Sequence, residues 1–238
     1  MKKILRLIHS NRISSERGQS LVEIAIFLPI FILLIAGIAE MGWYLNRYLN
    51  MLDASREAAR LAADRDPVGN GTNGTTPAGP NPVYNPQYNQ NSPLFNPDAP
   101  INCDTTTDTY AVIACYAEES LIGAGVPFSP TNGYDDIVIS AFTIKNSVVH
   151  NGWRYPDYFE GTSDLGWSYT GQQERSLFPN SEVDTRVDSS VSQGLIILEI
   201  FYRHRQVLAL PFFTIFVPAD IDIHVYTIMP NPTAGTVQ

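Results

Sequence analysis

Gly18-Gln-Ser-Leu-Val-Glu23-Ile-Ala-Ile-Phe-Leu-Pro29-Ile-Phe-Ile-Leu-Leu-Ile-Ala-Gly-Ile-Ala39 is the stretch that decides the architecture. Ile24 to Ala39 holds sixteen residues without a charge, and the apolar run from Leu21 to Leu45 is interrupted only by Glu23 and Glu40. At 1.5 Å rise per residue those positions make about 37 Å of helix, enough for a hydrocarbon core of about 30 Å. Trp43 and Tyr44 follow at the far end, where aromatic rings favour the membrane–water interface. Pro29 removes one helical hydrogen bond inside the run and is expected to kink or loosen the helix there.

Charge orients this helix. Residues 1–18 carry Lys2, Lys3, Arg6, Arg12 and Arg17 against Glu16, a net +4, while the whole chain is −9. The remainder is therefore strongly acidic. The positive-inside bias keeps the basic head cytoplasmic and sends the acidic body outward. An acidic body also argues against nucleic acid as a partner, since phosphate neutralisation needs a basic surface. A secretory signal peptide is the competing reading, but its apolar region is shorter and ends in a small-x-small cleavage site. Here the run continues into a helical pattern, so removal after it is not expected; a plain, uncleaved signal anchor stays open.

Beyond Leu45 the positions Leu45, Tyr48, Leu49, Leu52 and Ala59 fall at helical spacing on one face, and residues 54–63 are rich in helix formers. Asp53–Arg56 and Arg60–Asp64 are spaced for ion pairs. One long helix is expected from about Ser20 to Asp64, with Pro67 beyond it as a stop. Residues 66–107 hold eight of the 17 prolines and no apolar period, so they read as a long irregular loop. A second helix is expected from Asp108, a candidate N-cap, to Ile122, with Gly123 as the stop. Asp136–Ile144 reads as a strand, Gly194–Tyr202 as a central strand, and Asp220–Met229 as a half-buried strand with alternating polarity. Val207–Val217 reads as a further strand or an apolar hairpin containing Pro211. Residues 146–193 show little period. The fold class is α+β: a long N-terminal transmembrane helix, then a small, mainly antiparallel sheet with one packed helix. The segments are 1–18, a basic leader; 19–65, the transmembrane and spine helix; 66–107, the loop; and 108–238, an extracytoplasmic α+β domain.

Eleven residues separate Cys103 and Cys115, both beyond the span. In an oxidising compartment a bridge is expected, worth about 3 kcal/mol for so short a loop; two reduced, buried thiols are the alternative. No metal, cofactor or catalytic group is expected. Two cysteines are too few for a zinc site made of cysteine alone, the histidines at 9, 150, 204 and 224 lack ligand spacing, and no phosphate-binding or nucleophile-elbow motif occurs. Asp188-Ser-Ser-Val-Ser192 and the acidic turn from Asp104 to Asp108 read as polar loops rather than metal sites. The aromatic stretch Trp153, Tyr155, Tyr158, Phe159, Trp167 and Tyr169 reads as loop packing, with glycan or partner contact as the alternative.

Glu23 is costly at the edge of a membrane helix, where an acidic group needs a partner. Cleavage between Gly18 and Gln19 would create one, an α-amino group one helical turn upstream. The segment resembles the type IV prepilin signal, in which a basic leader ends in Gly, a membrane peptidase cuts after it, and Glu occupies the fifth mature position. Arg17-Gly-Gln-Ser-Leu-Val-Glu-Ile-Ala, the Pro29 in the span and Ala54-Ser-Arg-Glu-Ala-Ala-Arg-Leu-Ala-Ala together resemble the TadE-like family of the tight-adherence (Tad) pilus system. The strong likeness covers about residues 16–64; the closing strands from Leu198 to Met229 are loosely similar.

The resemblance implies a pilin-like fold and a minor pilin or pseudopilin acting in pilus assembly and surface adherence. Its implied partners are other pilin subunits, the prepilin peptidase, the inner-membrane assembly platform and membrane lipid. Gly18 and Gln19 would flank the cut, and Glu23 and Pro29 would serve assembly. Arg56, Glu57 and Arg60 match the family's helical patch, either a contact with other subunits or the body, or a solvated face.

Overall fold

The computed structural model describes residues 12–65, 103, 109–146, 148–155, 166–170, 176–187, 193–208 and 218–232. The leader up to residue 11, most of the 66–107 stretch, Asp108, the Asp188 motif and residues 209–217 lie outside them. Within residues 12–19 and 150–155 the backbone alone is described.

The architecture is α+β. A long apolar helix, α1 (Arg12–Ala63), precedes α2 (Thr109–Gly123), the strands β1 (Asp136–Lys145), β2 (Val148–Tyr155) and β3 (Trp167–Ser168), a short α3 (Asn180–Arg186), and β4 (Gly194–Arg205) and β5 (Asp220–Asn231). The chain divides into two compact units, Met1–Leu45 with Gln206–Ala219, and Asn46–Arg205 with Asp220–Gln238.

The larger unit is built on one antiparallel sheet in the order β2-β1-β4-β5, with β3 also pairing to β1. β1 and β4 read as near-continuous apolar runs because they are interior strands covered on both faces. β5 pairs with β4 over its whole length, from Arg205↔Asp220 to Gly194↔Asn231. Its alternation places Ile223, Val225 and Asn231 on the covered face and Asp222, Tyr226 and Ile228 on the other. α2 is buried almost all round, which is why its sequence shows little amphipathic contrast. Its end differs from the expectation. The residue that stops it is Gly125 rather than Gly123: Gly125 takes φ +74°, its N–H donates to Ile122, and the Val126 N–H donates to Leu121, a Schellman closure. The bridge forms, joining Cys103 to Cys115 on buried α2 with a Cα–Cα distance of 5.5 Å.

The weakly periodic 146–193 stretch holds three elements that local pattern did not reveal. β1 and β2 pair up to Lys145↔Val148, and Asn146 just after β1 takes φ 52°; an Asn at the end of an apolar strand was the readable turn signal. β3 forms by pairing with β1, and α3 packs chiefly on β2, where Asp184 accepts the Val149 N–H at 2.7 Å. Trp167 pairs with Ile139 and lies 6.0 Å from the Tyr110 ring of α2, so Trp167 and Tyr169 are core residues. α3 places Val183, together with Phe178 just before it, on Phe142, Ile144, Val149 and Ile197.

Buried carboxylates fasten these loops. Glu118 of α2 accepts from the Tyr169 hydroxyl at 2.7 Å. Asp136 accepts from Ser168 Oγ and the Thr170 N–H, at 2.5 and 3.0 Å. Glu199 accepts from Ser176 Oγ and the Leu177 N–H, and faces His224 Nε2 at 3.1 Å. Asp135 accepts the N–H groups of Ser129 and Arg203; burial pushes its carboxyl up from the ordinary range, against those hydrogen bonds. Hydrogen bonds to a charged acceptor are worth about 1.5–3 kcal/mol each, and leaving a buried partner unsatisfied costs as much again.

Gly166 is fixed by contact. A Cβ there would collide with Val138 Cγ1 and lie 2.6 Å from Ser140 Oγ, both on β1. Gly166→Ala is expected to destabilise the body by about 1–3 kcal/mol through overpacking. Urea denaturation of the detergent-solubilised chain, followed by circular dichroism, reads this as a lower midpoint.

Candidate functional site

The candidate site is α1 itself, whose two ends are built for different surroundings. From Leu21 to Leu45 nearly every large apolar side chain is exposed, Leu21, Phe27, Phe31 and Ile38 among them. A surface of this kind is unfavourable in water and suits lipid, so the helix fits a membrane anchor. The helix continues through Pro29, which sits inside it rather than ending it. Gly18 and Gln19 have helical backbone, so Gln19 and Glu23 lie one turn apart along one face, and the Glu23 side chain is exposed. Glu40, at the other limit of the uncharged run, accepts from the Val207 N–H at 3.1 Å and from the Leu208 N–H.

The last turns of α1, from Asn46 onward, belong to the sheet-bearing unit, and here the apolar-face expectation is corrected. The buried stripe is Met51, Ala54, Ser55, Ala58, Ala59 and Ala62; Leu45, Tyr48 and Leu49 are exposed and Leu52 is half-buried. Bulk misleads because the sheet selects small side chains that leave the helix backbone within reach. Ser55 Oγ meets Thr227 Oγ1 at 2.7 Å. Asn231 Nδ2, fully buried, donates to the carbonyls of Ala62 and Arg65 at 3.1 and 3.0 Å, so it caps the end of α1. Asn50 Nδ2 donates to the Ala124 carbonyl at the end of α2.

The Arg56, Glu57 and Arg60 patch divides. Arg56 pairs with Asp53 at 3.4 Å on its own helix, and both are solvent-exposed, so the pair is worth a few tenths of a kcal/mol at most. Glu57 accepts from Ser120 Oγ of α2 at 3.3 Å, a contact with the body. Arg60 is exposed, and the expected Arg60–Asp64 pair does not occur among the ion pairs of the described residues. Sequence reasoning missed Glu40, Ser55 and Asn231. The readable hint was the Ala/Ser periodicity from Ala54 to Ala62; nothing local marked Asn231.

The small-residue stripe and the exposed bulky flank make opposite predictions. Ala58→Leu should lower stability by about 1–3 kcal/mol, because the site has no room for added methylenes. Leu49→Ala, at a position 56% exposed, should change it by less than about 0.5 kcal/mol. Paired thermal melts of the two variants test this.

Residues 18–60 match the family model described as TadE-like protein, in agreement with the resemblance read from the sequence. No curated protein and no solved structure matches the chain. The likeness to the TadE-like family is confined to residues 18–60, the long apolar helix from Gly18 to Arg60.

Proposed function

We propose that the chain is a minor pilin or pseudopilin, a structural rather than catalytic subunit that takes part in assembling a Tad-type pilus for surface adherence. The observation that carries this reading is an uninterrupted helix, apolar on its outside, with a carboxylate one turn beyond Gln19. The TadE-like match begins at Gly18, where the leader would end. In this reading the prepilin peptidase cuts after Gly18 on the cytoplasmic side. The N-terminus starts inside, the body stands outside the cytoplasmic membrane, and the assembly platform lifts the subunit out of lipid.

Extraction transfers the exposed flank of α1 from acyl chains to the helices of other pilin subunits, so apolar contact is kept and its cost is small. The exception is Glu23. A lone carboxylate near the helix centre costs about 2.5–3.5 kcal/mol on insertion scales, less toward the interface. The Gln19 amine created by cleavage, in the same chain or a neighbour, offsets that charge most strongly where water is absent.

Intact mass of the protein extracted from membranes of its own cells tests the reading. Loss of residues 1–18 is expected; retention of Met1–Gly18 would favour an uncleaved, single-pass anchored binding module. Glu23→Ala is expected to leave cleavage intact and reduce incorporation into filaments, scored as the ratio of sheared-filament to membrane-bound subunit. Normal incorporation would count against the charge pairing.

A further inference from the structure

We propose that Arg47 of α1 and the Tyr202 hydroxyl of β4 form a seat for the phosphate of an anionic phospholipid headgroup in the outer leaflet. This rests on the reading of the Leu21–Leu45 stretch as a span. The helix is continuous, so Arg47 stands about 3 Å of helix past Leu45, at the level where headgroups replace acyl chains. Trp43 and Tyr44, whose rings suit that interface, precede it by one turn. Arg47 is the one cation between Leu45 and Arg56. It stands on the acidic, outward side, against the bias that gathers Lys and Arg inside.

Register brings Tyr202 to the same level. On β5, Asn231 meets Ala62 and Arg65 of the α1 end, and Thr227 meets Ser55, so the strand and the helix run in the same direction. Four residues back from Thr227, about 14 Å along the strand, Ile223 stands opposite Tyr202. The same distance back from Ser55 is about nine helical residues, which ends beside Arg47. The guanidinium lies over the end of α2: a Cβ on Gly125 would stand 3.9 Å from Arg47 Nη1. Arg47 is half-buried and forms no ion pair among the described residues, whereas Arg56, Arg186, Arg203 and Arg205 each have an acidic partner. Tyr202 is 3% exposed, and its hydroxyl meets no hydrogen-bond partner among the described residues. A buried phenol normally has one. The hydroxyl oxygen is not sealed off, so a ligand atom can reach it. Burial pushes this hydroxyl up from the ordinary phenol range, and Arg47 is the largest charge pulling it back. Asp135, which pushes with burial, already accepts the Ser129 and Arg203 N–H groups. A phosphate accepts from a guanidinium fork and a phenol together.

The probe is phosphatidylglycerol added to the full chain in uncharged detergent, with bound lipid counted by native mass spectrometry. Arg47→Gln is expected to weaken binding about fivefold, the effect of one cation at an anionic surface. Tyr202→Phe should also weaken it, yet leave the lipid-free melting temperature unchanged or higher, because only an unpaired hydroxyl is removed. Arg56→Gln, on the exposed part of the same helix, should bind as the parent does. Parent-like binding by Arg47→Gln, or an equal loss in Arg56→Gln, would overturn the proposal. So would glycerophosphoglycerol, the same headgroup without acyl chains, competing as well as the lipid, since the ligand would then be a soluble phosphate. Lipid-free dimers that Arg47→Gln dissociates would give Arg47 to a carboxylate of a second copy and overturn lipid as the partner. Flotation with phosphatidylcholine vesicles tests the span separately. Parent protein that fails to float would overturn both readings, whereas flotation without an Arg47 effect on phosphatidylglycerol overturns the headgroup seat alone.

Discussion

A single helix in this chain has to satisfy two environments, and side-chain size divides the work. Backbone N–H and C=O groups in lipid must pair within their own segment, which makes the Leu21–Leu45 stretch helical whatever follows it. Its bulky outward side chains have no call on protein contacts. From Met51 onward the same helix lies on a sheet, and there bulk becomes a liability. Ala54, Ser55, Ala58, Ala59 and Ala62 form the buried stripe, while Leu45, Tyr48 and Leu49 stay outside it. Tyr48 and Leu49 continue the exposed apolar surface of α1 past Leu45.

The body solves a different problem. Its loops are long and polar, and its sheet has few strands. Four buried carboxylates, Glu118, Asp135, Asp136 and Glu199, tie the loops around 129, 168–170 and 176–177 to the sheet and to α2. The disulfide holds the Cys103 end of the preceding stretch to α2. Such ties make the geometry of these loops depend on the sheet and on α2. Within the smaller unit Glu40 accepts the N–H groups of Val207 and Leu208, just after β4.

Much of this was legible without coordinates. The uncharged run, the basic head, the Gly18–Glu23 spacing and the Pro29 position identified the helix and its resemblance. The uninterrupted apolar runs of β1 and β4 and the alternation of β5 identified the sheet, because burial on two faces and on one face leave different periods. Cys103 and Cys115 were readable from their spacing and their side of the span. The 146–193 stretch was not readable: β3 and α3 are short, β2 and β3 are fixed by pairing with β1, and α3 is fixed by packing on β2. The stop of α2 was misplaced by two positions because either glycine could end a helix, and the closing hydrogen bonds chose Gly125.

The amino-acid order by itself determined that the chain has one membrane-compatible helix, an α+β body and a TadE-like N-terminal pattern, since all three follow from local polarity, spacing and helix geometry. Tertiary structure alone decided which flank of α1 is buried, that Asn231 caps a helix ending 168 positions earlier, and that Glu40 meets Val207 and Leu208. Those choices are made by residues far apart in sequence, where hydrogen-bond geometry and available volume, rather than periodicity, select the partner.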